Sequence, residues 1–79
     1  MNTYRFFHWN IVASNHREFV ERLWIGSLTE ASSVRTYMEE VAERAYKAYG
    51  DYLRTTNATT FVNDMIRAGY LRIEPVKAN

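Results

Sequence analysis

The stretch from Ser27 to Leu53, SLTEASSVRTYMEEVAERAYKAYGDYL, contains the longest amphipathic pattern in the chain. Its apolar residues recur at steps of three and four, which places them on one face of a helix: Leu28, Ala31, Val34, Met38, Val41, Ala45, Tyr49 and Tyr52. Ser27 and Glu30 have the spacing of a capping box at a helix start. The stretch therefore predicts one long helix, with Gly50 as an alternative point at which it ends.

The charged residues of this stretch lie opposite the apolar face. Glu40 with Arg44, and Glu43 with Lys47, are four residues apart with the acid first, the favourable order for an ion pair on a helix. Each such pair contributes only about 0.2–0.5 kcal/mol. Burial of the apolar face is therefore expected to supply most of the helix stability.

Length and composition predict one small domain over residues 1–79. The chain has 79 residues, of which 47% are hydrophobic and 15% aromatic, enough for a single core. It has no cysteine, which excludes disulfides and thiolate metal sites, and its net charge is +1. No segment has the composition of a membrane span or a signal peptide. We therefore expect a cytoplasmic protein with no membrane partner.

The region before the long helix favours β-structure. Residues 3–13, TYRFFHWNIVA, are rich in aromatic and β-branched types and predict one strand. Residues 18–25, EFVERLWI, fit the alternation of a strand, but Asn15 and Glu18 have the spacing of a capping box that would begin a helix. We favour the strand, because the first strand needs a neighbour close in sequence.

The end of the chain predicts a second helix and a last strand. Residues 58–68 have apolar side chains at helical spacing, with Gly69 as the stop. Residues 70–74 predict a short strand that Pro75 ends, and residues 76–79 a tail.

The predicted order of the elements in the whole chain is β-β-α-α-β. We expect an α+β fold in which one long and one short helix pack on one face of a three-stranded antiparallel sheet.

The titratable residues show no pattern typical of a catalytic or metal site. His8 and His16 have neither HxxxH nor HExxH spacing, and the glutamates of the long helix have basic neighbours one turn away. The three glycines are isolated, so no phosphate-binding loop is predicted. We expect a protein that is not an enzyme and that binds no cofactor or metal.

Aromatic residues are more numerous than a core of this size requires. We expect the helices to cover the sheet face that carries Phe7, Trp9, Ile11, Phe19, Leu23, Ile25, Leu71 and Ile73. The opposite face would then be an open, protein-binding face that carries Tyr4, Phe6, His8, Arg22, Trp24, Tyr70 and Arg72. Aromatic and arginine side chains are enriched at interaction hot spots, and they also stack on single-stranded bases.

From Trp9 to Ala31 the chain has the pattern W-x-x-V-x-S, then F-x-x-x followed by an apolar and an aromatic residue, then S-L-T-E-A. This pattern predicts a strand, a turn and a second strand, followed by a helix that begins with S-L-T-E-A. The layout resembles that of small phage-encoded inhibitors of host RNA polymerase and of some anti-CRISPR proteins. The longer first helix and the second helix depart from that layout. The resemblance implies a stoichiometric inhibitor in the host cytoplasm, with a host protein or ribonucleoprotein complex that processes nucleic acid as its partner.

Two further functions fit the sequence. One is a nucleic-acid-binding domain, in which bases stack on the open sheet face, or residues 58–68 serve as the recognition helix and residues 69–76 as the wing of a winged helix. The net charge of +1 weighs against it, since affinity for nucleic acid comes largely from neutralised phosphates. The other is a homodimer that uses its aromatic face for self-association.

Overall fold

The structure, a computed structural model, describes residues 1–76, so residues 77–79 of the predicted tail lie outside the described residues. It confirms a small α+β fold with a three-stranded antiparallel sheet, but this part of the chain has three helices instead of two. The elements are β1 Asn2–Phe6, β2 Trp9–Ala13, α1 His16–Gly26, α2 Val34–Tyr49, α3 Ala58–Ala68 and β3 Leu71–Pro75. Their order is β-β-α-α-α-β instead of the predicted β-β-α-α-β.

β1 is the central strand and runs antiparallel to both β2 and β3. Tyr4 of β1 lies opposite Ile11 of β2 and Ile73 of β3, and residues opposite one another share a face. The helices pack on this face, since Tyr4 is fully buried and stacks on Phe19 of α1 with ring centroids 4.5 Å apart. The other face is open to solvent and carries Thr3, Arg5, Asn10, Val12, Arg72 and Glu74.

The predicted first strand is a hairpin. Phe6 pairs with Trp9, so Phe7 and His8 form a two-residue turn between β1 and β2. Paired residues of a hairpin share a face, whereas Phe6 and Trp9 of one continuous strand would point to opposite faces. The turn therefore places Tyr4 and Phe6 on the helix-covered face, and the prediction that they lie on the open face is wrong.

Residues 18–25 belong to α1, so the helical alternative is correct and the favoured strand is wrong. The Asn15 side chain accepts a hydrogen bond from the Glu18 backbone N–H at 2.8 Å and caps the helix. Helical spacing buries Phe19, Val20 and Leu23. Ile25, which the strand pattern places in the core, is 76% exposed. β1 has its neighbours in β2 and β3, so the sheet requires no strand from this segment.

The helix predicted over residues 27–53 is shorter at both ends. Ser27 ends α1, and its hydroxyl donates to the Leu23 carbonyl at 2.7 Å. Ser33 is the N-cap of α2 and accepts a hydrogen bond from the first turn of that helix. Gly50 ends α2 in the left-handed conformation, with φ of 76°, as the sequence alternative predicts.

Only part of α2 packs against the rest of the protein. The helix buries Tyr37, Met38 and Ala45, and half-buries Val34 and Val41. The Glu43–Lys47 ion pair is present at 2.8 Å. The predicted pair of Glu40 with Arg44 is not, because Glu40 accepts a hydrogen bond from the Thr29 hydroxyl at 3.0 Å instead. α2 is thus less deeply buried than its apolar stripe predicts.

A buried carboxylate fixes the loop between α2 and α3. Asp64 of α3 is 6% exposed, and it accepts hydrogen bonds from the Arg54 backbone N–H at 2.8 Å and from the guanidinium at 3.0 and 2.9 Å. The hydrogen bonds from the Arg54 side chain lower the pKa of Asp64 from 3.8 to about 2. The loop carries Leu53 into the core and places Asp51 beside Tyr70.

Removal of the α1 cap tests the helix assignment. We expect Asn15→Ala to lower the free energy of unfolding by about 1 kcal/mol, because a backbone N–H in the first turn loses its acceptor. Ser14→Ala, at the neighbouring exposed position, is the control. Urea unfolding followed by circular dichroism measures both changes, and equal stability of the two variants would contradict a capped helix at this position.

The buried carboxylate predicts a specific pH dependence. Because folding lowers the pKa of Asp64 from 3.8 to about 2, the ionised group stabilises the fold above about pH 4, and this contribution is lost as the pH falls through about 2. We expect the stability difference between the parent protein and Asp64→Asn, measured by urea unfolding, to be constant above about pH 4 and to shrink towards about pH 2. Glu39→Gln, which removes an exposed carboxylate of α2, is the control. A constant difference for Asp64→Asn would contradict a stabilising charge.

Candidate functional site

The turn between β1 and β2 presents a strained aromatic residue to solvent. Phe7 has a backbone φ of 54°, the only positive value outside glycine among residues 1–76, and it is 60% exposed. A left-handed conformation costs a residue with a Cβ atom roughly 1–2 kcal/mol, and hairpin turns commonly use glycine or asparagine there. Backbone strain of this kind is concentrated at functional sites. Phe7 is therefore the first candidate for a contact residue.

Phe7 belongs to a cluster of aromatic rings around the hairpin turn. Its ring stacks on Tyr70, with centroids 5.7 Å apart and planes at 28°, and lies edge-to-face with Phe6 at 4.8 Å. Tyr49, in the last turn of α2, lies 5.7 Å from Tyr70 and is 65% exposed. Three separate segments of the chain thus contribute aromatic side chains to one surface.

Tyr70 is held through both its backbone and its side chain. Its N–H donates to the Met65 carbonyl at 2.9 Å in the turn that ends α3, and its hydroxyl donates to the Asp51 carboxylate. Partial burial, together with the hydrogen bond to Asp51, raises the pKa of Tyr70 to about 12. These two hydrogen bonds hold the ring of Tyr70, on which the ring of Phe7 stacks.

A groove of about 360 Å³ lies between this cluster and α2, and we call it the aromatic groove. Phe6, Phe7 and Tyr70 line one side of it. The α2 side consists of Tyr37, Val41, Arg44, Ala45, Ala48 and Tyr49. Arg44 is its one charged residue, and it forms no ion pair within residues 1–76. Apolar walls with few polar groups are typical of binding sites.

A second groove, of about 560 Å³, also borders Phe7 and Tyr70, and it extends over the open face of the sheet. We call it the arginine groove, and its other polar side chains are those of Arg5, His8, Asn10 and Arg72. Arg5 and Arg72 lie directly opposite one another on β1 and β3. They share one carboxylate, that of Glu74, at 2.9 and 3.7 Å. Two guanidinium groups therefore face a single negative charge.

Four of the seven predicted binding residues border these grooves. Phe6 and Tyr70 line the aromatic groove, and His8, Tyr70 and Arg72 line the arginine groove. Among the seven, Arg72 alone lies on the open sheet face, whereas His8 is in the hairpin turn. The structure therefore brings these four residues together around Phe7, and their role in binding stays a prediction.

The other three predicted residues lie elsewhere. Tyr4 is buried in the core, its hydroxyl is hydrogen-bonded to His16 Nδ1 at 2.8 Å, and burial raises the pKa of that hydroxyl. Trp24 is half-buried on α1 and donates its indole N–H to the Ala31 carbonyl at 3.1 Å. Arg22 forms an ion pair within α1. The prediction of one shared surface is wrong for these residues, because α1 is a helix and β1 reverses at the turn.

The open sheet face within residues 1–76 carries polar and charged side chains and one valine, and no aromatic side chain. The prediction of an aromatic open face is therefore wrong. Base stacking across this face lacks the aromatic platform that it requires.

Eleven residues that line the grooves are missing from the predicted set, and four of them carry charged or large aromatic exposed side chains: Arg5, Phe7, Arg44 and Tyr49. The sequence pattern places Phe7 in the core and Tyr49 in the buried stripe of the long helix. One signal does point to the turn, since a strand over residues 3–13 is about twice the usual length. No Asn-Gly or Asp-Gly pair marks the position of that turn.

Comparisons with protein-family models, curated proteins and solved structures found no match for this chain. The resemblance to phage-encoded inhibitors gains no support from them, and the layout behind it differs here, since residues 18–25 are helical and residues 27–31 form a loop.

In the described part of the chain, no helix is long and apolar enough to cross a membrane. Nor do three His, Cys, Asp or Glu side chains come together there as metal ligands would.

The strain at Phe7 predicts an unusual order of stabilities. We expect Phe7→Gly to be more stable than Phe7→Ala by about 1 kcal/mol, because glycine adopts a positive φ without the steric cost that alanine retains. Both variants lose the same ring contacts, so the comparison isolates the backbone. Urea unfolding measures the difference. If alanine proves as stable as glycine, the turn is not strained.

Proposed function

We propose that this chain is a protein-binding module that binds a partner stoichiometrically through the aromatic groove. The observation that carries the proposal is Phe7, a bulky ring presented to solvent on a strained backbone and flanked by Tyr70. A residue that served only the turn would be glycine or asparagine, at a lower conformational cost. Exposed aromatic rings around an apolar concave surface are typical of binding hot spots.

The groove supplies the components that a protein interface requires. Its apolar lining would become a centre from which a bound partner excludes water, and the exposed side chains of Arg44 and Tyr49 add polar groups to that lining. Tyr70 is fixed by its hydrogen bonds before any partner arrives. A surface that is already ordered loses less conformational entropy on binding, which favours affinity.

The charge distribution favours a protein over nucleic acid as the partner. The net charge is +1, and seven of the nine basic side chains in residues 1–76 form ion pairs with carboxylates. Non-specific binding to nucleic acid depends on basic side chains that neutralise phosphates. Most of the basic side chains here already have a carboxylate partner within the fold, although Arg5 and Arg72 share one, and so do Arg54 and Arg67.

The chain acts as a binder and not as an enzyme. The titratable side chains that line the two grooves are arginines, His8 and Tyr70, and no carboxylate lines either groove as a general base. The pKa of Tyr70, raised to about 12, keeps that phenol protonated. These features support a protein that recognises a partner and catalyses no reaction on it.

We further propose the partner class that the sequence resemblance suggests. The chain would then be a small phage or mobile-element protein that acts in the host cytoplasm and inhibits a host nucleic-acid-processing complex. A stoichiometric inhibitor needs one contact surface and no catalytic centre. The aromatic groove of this short chain is compatible with that requirement.

A homodimer is the second candidate, and the end of α2 favours it. Tyr46, Tyr49 and Tyr52 are 63%, 65% and 79% exposed, at successive spacings of three residues. Large exposed rings on and just after a helix are suited to contact with a second copy of that helix.

Affinity capture tests the proposal. We expect the immobilised parent protein to retain a partner from bacterial lysate in near-stoichiometric amount. Phe7→Gly should weaken binding about 30-fold or more, because loss of a hot-spot side chain costs about 2 kcal/mol. Glycine suits the turn, so the variant should keep its fold, which a melting curve verifies. Tyr52→Ala is the matched control, because it removes an exposed ring that does not line the aromatic groove.

Retention that is unaffected by Phe7→Gly would place the binding surface elsewhere. Sedimentation of the purified protein separates the second candidate from the first. A concentration-dependent doubling of mass that Tyr49→Ala abolishes would favour the homodimer.

A further inference from the structure

We propose that the occupant of the aromatic groove is an acidic segment of the partner protein. An apolar side chain of that segment enters the groove, and carboxylates on either side of it pair with arginines of this chain. The inference rests on the proposed function and names the chemistry of its partner. It comes from one juxtaposition: Phe7 and Tyr70 line both grooves, so they form a ridge between an apolar site and a cationic one.

One arginine lines the aromatic groove, and two more line the neighbouring arginine groove. Arg44 lines the α2 side of the aromatic groove and forms no ion pair within residues 1–76. Across the ridge, Arg5 and Arg72 both approach Glu74 through their Nε atoms. Each guanidinium group also carries two Nη atoms, which can donate to a carboxylate of a partner, as arginine side chains favour.

The charge balance in the arginine groove calls for a further anion. Like charges that lie directly opposite one another on neighbouring strands are destabilising, and Arg5 and Arg72 occupy such a pair of positions with one shared carboxylate. No Asp or Glu side chain lines either groove. An incoming carboxylate would complete the pairing, and a lysine-rich or arginine-rich segment would be repelled.

The arrangement of the rings favours a peptide over nucleic acid at the same place. Phe7 and Tyr70 stack on each other at 28°, and Tyr49 lies 5.7 Å from Tyr70. Ring faces on which a base would stack are thus partly covered by other rings of the protein. An apolar side chain requires only an apolar lining, and the groove has one both at Phe7 and on α2.

Titration with defined peptides tests the inference on the full chain. The first probe is a short synthetic peptide in which one tryptophan is flanked on both sides by glutamates, and the second probe carries glutamine in place of each glutamate. We expect the glutamate peptide to shift the backbone amide NMR signals of Phe7, Tyr49 and Tyr70. At low salt it should bind about tenfold more tightly than the glutamine peptide, and this ratio should fall as salt screens the charges.

The variant Arg72→Gln distinguishes the effect of the arginine charge on peptide binding from the effect of groove shape. We expect it to weaken binding of the glutamate peptide about three- to fivefold and to leave the glutamine peptide unchanged. Arg44→Gln should have the same effect from the α2 side of the groove. The matched control is Arg17→Gln, which removes an exposed arginine of α1 that lines neither groove. A melting curve verifies that each variant is folded.

Three results would overturn the inference. Equal affinity for the two peptides would show that the groove binds apolar side chains without regard to charge. No binding of the glutamate peptide at about 1 mM would exclude the acidic class, and lysate capture that still depends on Phe7 would then leave the protein-binding function standing with a partner of other chemistry. Displacement of the glutamate peptide by single-stranded oligothymidylate from Phe7 and Tyr70 would replace the inference with nucleic-acid binding.

Discussion

A two-residue turn centred on Phe7 sets the register of β1 against β2, so that Phe6 lies opposite Trp9. Since paired residues share a face, this register places the large side chains of both strands beneath the helices, and β3 adds its own to the same face. Tyr4 then fills the core and stacks on Phe19. Such a pair contributes about 0.5–1.5 kcal/mol beyond burial. One backbone conformation thus determines which side chains form the core.

The same turn connects folding to the candidate binding surface. The left-handed conformation of Phe7 costs roughly 1–2 kcal/mol, a large part of a total stability of about 5–15 kcal/mol. Burial of the core side chains offsets this cost. A series of polar contacts also fixes Tyr70, on which the Phe7 ring stacks. Asp64 holds the loop after α2 through Arg54, the loop places Asp51, and Asp51 accepts the hydroxyl of Tyr70, on which Phe7 stacks. These contacts therefore order the candidate surface in the chain by itself.

The sequence by itself determined the features that depend on neighbouring residues. It placed α3 over residues 58–68 with Gly69 as the stop, offered Gly50 as the end of α2, and indicated an α+β fold with an antiparallel sheet. Cap side chains and left-handed glycines act on backbone groups within a few residues, so their effect is visible in the local sequence. Tyr70 and Arg72 were predicted as binding residues and do border the grooves, since both follow directly from the well-marked end of α3.

Only the tertiary structure decided the hairpin, the choice of helix over strand for residues 18–25, and the composition of the candidate binding surface. The turn has Phe7 at a position where a glycine would normally indicate a turn. The location of the turn in the chain therefore depends on the packing of β1 against β2 and β3. Residues 18–25 fit both the alternation of a strand and the spacing of a helix. Which of the two forms depends on whether β1 already has a neighbouring strand on each side. The aromatic groove forms where the turn, the end of α2 and the start of β3 meet. Contacts between segments so distant in the chain have no local signature, because alternation along one strand assigns faces only until the strand turns.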